Sequence, residues 1–191
     1  MKEKDPNKIP AIFQATLELV GEVGLTGLKM ANIAKKAQLA SGTLYLYFSS
    51  KEDLLNALYR HLKSQHSYLS AASEQDLGQP LKVQLKKMWA ESLRFRLAHF
   101  NESVFVEQFY YSPYLTAESR EVSNQVMQYL LQVLEAGKRD QLIKDLDNAL
   151  LLCLLSGFLK ETVAHCKANR LEISPELIDA SFMLCWDALK A

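Results

Sequence analysis

The sequence predicts an all-α protein of about nine helices, in which a small N-terminal three-helix domain precedes a larger helical domain. Apolar residues recur at helical spacing in almost every segment, and no stretch alternates as a half-buried strand would. The 191 residues are 49% hydrophobic, enough for a real core. The breaks carry Gly, Pro and Ser, as at SEQDLGQP (73–80) and Ser112-Pro113.

The first helix follows Asp5-Pro6, a cap and first-turn pair, and carries Ile9, Ile12, Phe13, Leu17 and Val20 on one face. It is expected to end near Gly21 and Gly24. A short second helix spans Met30 to Lys36, with Ile33 and Ala34 inward, and after Gln38-Leu39-Ala40 a third spans Ser41 to Tyr47. Ser49 with Glu52, or Ser50 with Asp53, forms a capping box for a fourth helix. Its stripe is Leu54, Leu55, Leu58, Tyr59 and Leu62, and it fades near Ala72. A fifth helix runs from Leu81 to about His99, and an aromatic-rich sixth from Glu102 to Tyr110. The seventh, about Thr116 to Ala136, turns Val122, Val126, Leu130, Val133 and Leu134 inward and stops at Gly137. The eighth spans about Leu146 to Ala168. Its apolar run from Ala149 reaches Leu159, well short of the roughly 20 residues a membrane span needs, and reads as a deeply buried helix. The ninth opens with Ser174-Pro175-Glu176 (cap, first-turn proline and acid in the favoured order) and runs to Leu189.

Net charge is zero but unevenly divided: residues 1–63 hold nine Lys/Arg against six Asp/Glu, and residues 64–191 thirteen against sixteen. Between Val23 and Lys51 lie Lys29, Lys35, Lys36 and Lys51 with no acid, a modest field favouring a polyanion. For Lys35 and Lys36 a merely solvated face is an equal reading. Cys153, Cys166 and Cys185 are widely spaced in apolar surroundings, which suggests neither a disulfide framework nor a metal site and fits a reducing cytosol. MKEKDPNKIP has no apolar run of the secretory kind.

Two short helices joined by a tight turn, the second bearing hydroxyls and flanked by lysines, form a helix-turn-helix pattern, whose second helix enters the DNA major groove. Only the first residues of such a helix need reach base edges, while neighbours clamp phosphates. The stretch ANIAKKAQLASGTLYLYFSSKEDLL resembles the DNA-binding segment of the TetR/AcrR family of bacterial regulators. That family reads I-A-x-x-A-G-V-S-x-G-T-L-Y-x-H-F-x-S-K-E-x-L. Ile33, Ala34, Ala37, Gly42, Thr43, Leu44, Tyr45, Phe48, Ser50, Lys51, Glu52 and Leu54 stand in register with it. The motif covers about residues 9–62, and the length and helix count are also similar to the family's.

The resemblance implies that Ser41, Gly42 and Thr43 read bases, Gly42 by close backbone approach and Thr43 through its hydroxyl and methyl. It implies phosphate contacts for Tyr45, Tyr47, Lys51 and Lys29, with Lys35 and Lys36 adding diffuse attraction. Leu44 and Phe48 belong to the core, and one tyrosine of the pair can instead pack on the first helix. The sequence departs from the family at Gln38 (turn glycine), Ala40 (capping serine), Tyr47 (histidine) and Lys29 (capping Thr or Ser). With Ala40 unable to cap, Ser41 is available as the cap, and Gln38 either avoids or accepts a left-handed conformation.

By the same resemblance the division is residues 1–50 for DNA binding and 51–191 for effector binding and dimerisation, with the fourth helix (51–72) connecting. The implied pocket takes a small apolar or amphipathic effector, with Trp89, Phe105, Phe109 and Tyr110 as candidate lining residues, although most aromatics at helical spacing are core. The run ALLLCLLSGFL, apolar on all sides, suits one face in the subunit's own core and one against a partner. The family's interface is a homodimer through the eighth and ninth helices, which sets two recognition helices about 34–36 Å apart on a palindromic operator. The expected activity is transcriptional repression in the cytoplasm, relieved by the effector, with no membrane association and no cofactor or metal. An enzyme is disfavoured because His61, His66, His99 and His165 are scattered and no nucleophile motif occurs. A helical ligand-binding or interaction protein without DNA binding is the alternative, and the lysine-flanked Ser-Gly-Thr-Leu-Tyr stretch argues against it.

Overall fold

The computed structural model describes residues 5, 7–65 and 78–191. Among these, the helices are α1 (Lys8–Gly27), α2 (Met30–Lys36), α3 (Ser41–Tyr47), α4 (Lys51–Gln65), α5 (Leu81–Ala98), α6 (Phe100–Tyr110), α7 (Ala117–Arg139), α8 (Asn148–Asn169) and α9 (Pro175–Leu189). The chain forms two compact units, Met1–Gln65 with Phe100–Asn124, and His66–His99 with Gln125–Ala191. The fading of α4 near Ala72, residues 73–77 of the expected loop, His66 and Pro6 lie outside the described residues.

The first unit is built around the apolar faces read from the sequence. Ile12, Phe13, Leu17, Leu19 and Val20 of α1, Ile33 and Ala34 of α2, and the whole α4 stripe are buried together. Leu44 is the one residue of α3 that is buried, and Phe48 follows it into the core. Phe105 and Phe109 of α6, fully buried, close the core, where α6 packs on α1 and α4. The start of α1 differs from expectation. The helix is capped by Asn7, whose side chain makes no capping bond, while Asp5 accepts the Asn7 N–H at Oδ1 (3.0 Å). At its other end α1 continues through Gly21 to Gly27, and the break falls at Gly24 (φ 69°, ψ 174°), a left-handed geometry that glycine adopts cheaply. For α4 the capping pair is Ser50 with Asp53. Ser50 Oγ accepts the Asp53 N–H (3.1 Å), and the Asp53 carboxylate reaches back to the Ser49 N–H (2.9 Å).

In the second unit α5 packs on α8 and α9, and α8 on α9. Trp89 Nε1 donates to Ser181 Oγ (3.0 Å), which donates to the Ile178 carbonyl (3.1 Å), so the indole is seated with its polar atom satisfied. Burial pushes the Cys185 thiol up to about 11. The start of α9 is as read: Ser174 Oγ accepts the Leu177 N–H (3.2 Å) with Pro175 in the first turn.

Two expectations are overturned here. Gly137 does not stop α7, which runs on to Arg139; a Cβ at Gly137 would lie 2.6 Å from Leu81 Cδ2, so the glycine is there for close packing. Nor is α8 deeply buried. Leu150 is 57% exposed, Cys153 is exposed, and the buried residues of the helix are Leu151, Leu159, Val163 and Cys166. Taken whole, its 22 residues are also long and apolar enough to cross a membrane by length and composition, which the shorter run counted from the sequence understated. All-round apolarity fixes that a helix avoids water, but not what covers it.

Three helix ends share one device. After α2, α7 and α8 the chain enters left-handed geometry at Gln38 (φ 57°), Gln141 (φ 57°) and Arg170 (φ 53°). The following residue donates its N–H five residues back, from Leu39 to Ala34, Leu142 to Gly137 and Leu171 to Cys166, each at 2.8–2.9 Å. This is the Schellman closure, built three times without glycine at the strained position.

Candidate nucleic-acid interface

The turn between α2 and α3 is fixed by that closure. Ala37 N–H bonds the Ile33 carbonyl (2.8 Å) and Gln38 N–H that of Lys35 (3.1 Å), so Gln38 accepts the strain where glycine would avoid it. Leu39 packs against the core immediately afterwards. Two backbone bonds to the Ala40 carbonyl, from Thr43 (2.9 Å) and Leu44 (3.3 Å), then start α3. Ser41 is therefore the first helical residue and not the cap: Ala40 caps through its backbone, with no side-chain bond.

Leu44, fully buried, pins α3 to the core and decides which residues face outward. Ser41 and Gly42 are exposed, Thr43 is half-buried, and Tyr45 is 54% exposed. A Cβ built on Gly42 meets nothing within 4 Å, and its φ is outside the left-handed region, so neither packing nor backbone geometry demands glycine there. Leu46, 53% exposed beside Tyr45, was not among the residues the sequence singled out. Its signal was present, since on a two-turn helix anchored by Leu44 an adjacent leucine two positions on must face away.

Tyr47 differs from Tyr45. Its ring is half-buried and packs against the core, while its hydroxyl accepts the Asp5 N–H (2.8 Å) and donates to the Asp5 carbonyl (3.1 Å). The one hydroxyl proton is thus engaged by the chain itself. Lys29, exposed, is the extended residue before α2 and accepts at its carbonyl from Asn32 and Ile33 (3.0 and 3.1 Å). Lys51, the first residue of α4, lies over the Tyr114 ring at 5.2 Å from its centroid. Lys35 is exposed, whereas Lys36 joins the carboxylates of Glu18 (3.1 Å) and Glu22. Hydrogen bonds donated to Glu22 and Glu18 raise the Lys36 ammonium above its ordinary value, and bonds accepted from Gln14 and then Lys36 lower Glu18. Lys36 therefore belongs to a solvated ion-pair face.

Behind this surface sits a buried polar junction that the sequence reading missed. Asn56, 3% exposed within the leucine stripe of α4, uses its whole amide. Nδ2 donates to the Glu52 carbonyl (2.9 Å) and the Tyr114 carbonyl (2.8 Å), and Oδ1 accepts from Thr116 N–H and Oγ1 (both 3.0 Å). Arg60 donates to Ser119 Oγ (3.1 Å), and the buried Tyr59 hydroxyl bonds Ser123 Oγ. Burial raises the Tyr59 phenol, with the Ser123 bond opposing. A polar residue inside an apolar stripe was the visible sign.

The candidate effector residues fall in both units. Phe105 and Phe109 stack at 5.5 Å between centroids and Phe109 meets Tyr59 at 5.4 Å, all within the first unit's core. Tyr110, half-buried, has the Arg120 guanidinium over its ring (5.3 Å). Trp89 lies in the second unit, stacked on Phe158 at 5.7 Å. Among the described residues no group of three or more His, Cys, Asp or Glu is gathered for a metal.

A two-turn helix pinned by one leucine, presenting Ser41, Gly42 and Tyr45 to solvent after a tight turn from α2, defines a helix-turn-helix DNA-binding protein. Residues 12–58 match the family model of the bacterial regulatory proteins of the TetR family, and residues 62–191 that of the tetracyclin repressor-like C-terminal domain. The chain belongs to the TetR family, and is a DNA-binding transcriptional regulator with a separate ligand-binding half. It is similar to the fatty acid metabolism regulator protein of Bacillus subtilis (29% identical over 174 residues, 88% of each chain). Among solved structures it is similar to a TetR family transcription regulator from Marinobacter aquaeolei (TM-score 0.85, 28% identity, covering 100% of this chain and 99% of that one). It also shares the fold of the regulator FadR from Bacillus subtilis in complex with stearoyl-CoA (TM-score 0.65, 23% identity, covering 94% and 98%).

Proposed function

We propose that the protein is a homodimeric repressor that holds a palindromic operator through Ser41, Gly42, Thr43 and Tyr45 of α3, with Lys29 and Lys51 on flanking phosphates, and is released by a long-chain fatty acyl thioester. The observation that carries the DNA reading is the division of α3, with Leu44 fully buried and Gly42 and Tyr45 open. Tyr47 takes part only once its bond to Asp5 opens. Residues 1–50 are the DNA-binding region and 51–191 the effector and dimer region, with Trp89, Phe105, Phe109 and Tyr110 as the aromatic set that answers an acyl chain. The effector class is supported by the likeness to a fatty acid metabolism regulator along 88% of the chain and by the stearoyl-CoA bound to FadR of Bacillus subtilis, and a thioester with an apolar tail suits an aromatic lining. Dimerisation uses α8 and α9, whose Leu150 and Leu184 are exposed in the single chain. The site of action is the cytoplasm, where an operator is reached, with no catalytic step.

Fluorescence anisotropy on the promoter of the protein's own gene tests this. Affinity should fall steeply with salt, because each neutralised phosphate adds about 0.9 to the slope of log K against log salt. A Thr43→Ala, Tyr45→Phe double variant should lose affinity, and oleoyl-CoA at micromolar concentration should release the wild type. A double variant that binds like wild type would sink the assignment of α3, and release by no acyl-CoA of any length would sink the effector class.

A further inference from the structure

We infer that Tyr114, in the connection between α6 and α7, is a positioning residue for DNA binding: its ring holds the Lys51 ammonium, and Asn56 fixes the backbone that carries the ring. The inference rests on the reading of Lys51 as a phosphate contact and adds to it. Lysine has four rotatable bonds and loses about 2 kcal/mol of rotamer freedom when held in one geometry, so a free lysine makes a weak clamp. Here the ammonium is already stationed 5.2 Å from the Tyr114 centroid, where the ring quadrupole attracts it. The platform is itself anchored, since the Tyr114 carbonyl accepts from Asn56 Nδ2 (2.8 Å) and Thr116, two residues on, bonds Asn56 Oδ1 twice. Asn56 rises from the same helix that begins with Lys51, so helix, amide, loop and ring close a loop back onto the cation. All these groups lie in one compact unit.

A consequence is that the 114–116 segment reaches a DNA contact without any movement of α3. A displacement of this segment by a small distance strips the platform from Lys51 while the recognition helix stays on its leucine anchor. Ser119 and Ser123, bonded to Arg60 and Tyr59, tie the start of α7 to α4 beside the same segment.

The test is a double-mutant cycle on full-length protein, with operator affinity read against salt for Lys51→Ala, Tyr114→Leu, Tyr114→Phe and Lys51→Ala with Tyr114→Leu. A dimer carries two such contacts, and a cation–π pair at a partly exposed site predicts a loss of about 5- to 30-fold for Tyr114→Leu, with the salt slope lowered toward that of Lys51→Ala. Tyr114→Phe keeps the ring and should bind like wild type, and the double variant should be no weaker than Lys51→Ala alone. Circular dichroism melts distinguish misfolding, and the phenylalanine variant decides even if leucine destabilises the loop. Wild-type affinity in Tyr114→Leu, an equal loss in Tyr114→Phe, or additive losses in the double variant would overturn the inference while leaving Lys51 on its phosphate. Lys51→Ala with unchanged affinity and slope would instead remove the phosphate role of Lys51 itself, and the positioning role with it.

Discussion

Gly42→Ala should move folding and binding in opposite directions. Gly42 is the second residue of α3, exposed, with no atom within 4 Å of an added Cβ and a φ outside the left-handed region. Alanine thus adds no clash to the free protein and removes backbone freedom from the unfolded chain, stabilising it by about 0.4–1 kcal/mol. For a chain of this length that raises Tm by about 1–4 °C. If the first turn of α3 lies in the major groove, the same open space is filled by DNA. A methyl group forced into a close-packed contact costs about 1–3 kcal/mol, and a dimer meets it twice, so operator affinity should fall at least about 30-fold. Differential scanning calorimetry and operator anisotropy at fixed salt measure the two halves. A higher Tm with undiminished affinity would refute the close approach of Gly42 to DNA, and a lower Tm would refute the open-space argument.

Gln38→Gly relieves a left-handed side chain costing about 1–2 kcal/mol against an entropy gain of the unfolded chain of about 0.4–1 kcal/mol, so chemical denaturation should show a gain between about 0 and 1.6 kcal/mol and operator affinity should change less than about twofold. Asn56→Ala strands the Tyr114 carbonyl and the Thr116 N–H and should cost about 2–4 kcal/mol in urea unfolding. Lys36→Met should leave the salt slope of operator binding unchanged, because Glu18 and Glu22 already neutralise this lysine, whereas Lys29→Met should lower it by about 2 per dimer. Alkylation at pH 8 followed by mass spectrometry should modify Cys153 and spare Cys185, whose buried thiol titrates at about 11; modification of Cys153 should slow as protein concentration rises through the dimerisation range.

What the sequence revealed and what it hid divide along sequence separation. The bounds of α2 and α3, the Ser50–Asp53 pair and the Ser174-Pro175 start are set by groups within four residues of one another, and each stands where local chemistry put it. The outward face of α3 followed from one buried leucine. The stop expected at Gly137 failed because a local rule competed with Leu81, a packing neighbour 56 positions earlier that no window contains. Asn56 meets Tyr114 across 58 residues, so the amide was visible only as an anomaly in the stripe, without its partner. Gln38 shows a third case. A glycine rule was broken, but closure by the Leu39 N–H and burial of the Leu39 side chain outweigh roughly 1–2 kcal/mol of strain. Gln141 and Arg170 make the same backbone closure, but the leucines that follow them are exposed, so there the hydrogen bond alone holds the turn.

The exposed apolar face of α8 has three possible surroundings, and they can be weighed. The chain's own core leaves Leu150 and Cys153 uncovered, and Leu184 of α9 is 66% exposed. A bilayer would have to desolvate Lys160 and Glu161, which lie in the middle of the helix as an exposed pair 3.3 Å apart, and would also strip α8 from α5 and α9. A second copy asks for neither. It needs a surface that admits another helix closely, and a Cβ at Gly157 would meet nothing within 4 Å in the single chain. Space left open by a residue type that costs a helix interior about 1 kcal/mol is unexplained by the chain alone. Of the three surroundings a second copy therefore asks least of α8, and the open space at Gly157 is where a close helix approach is expected.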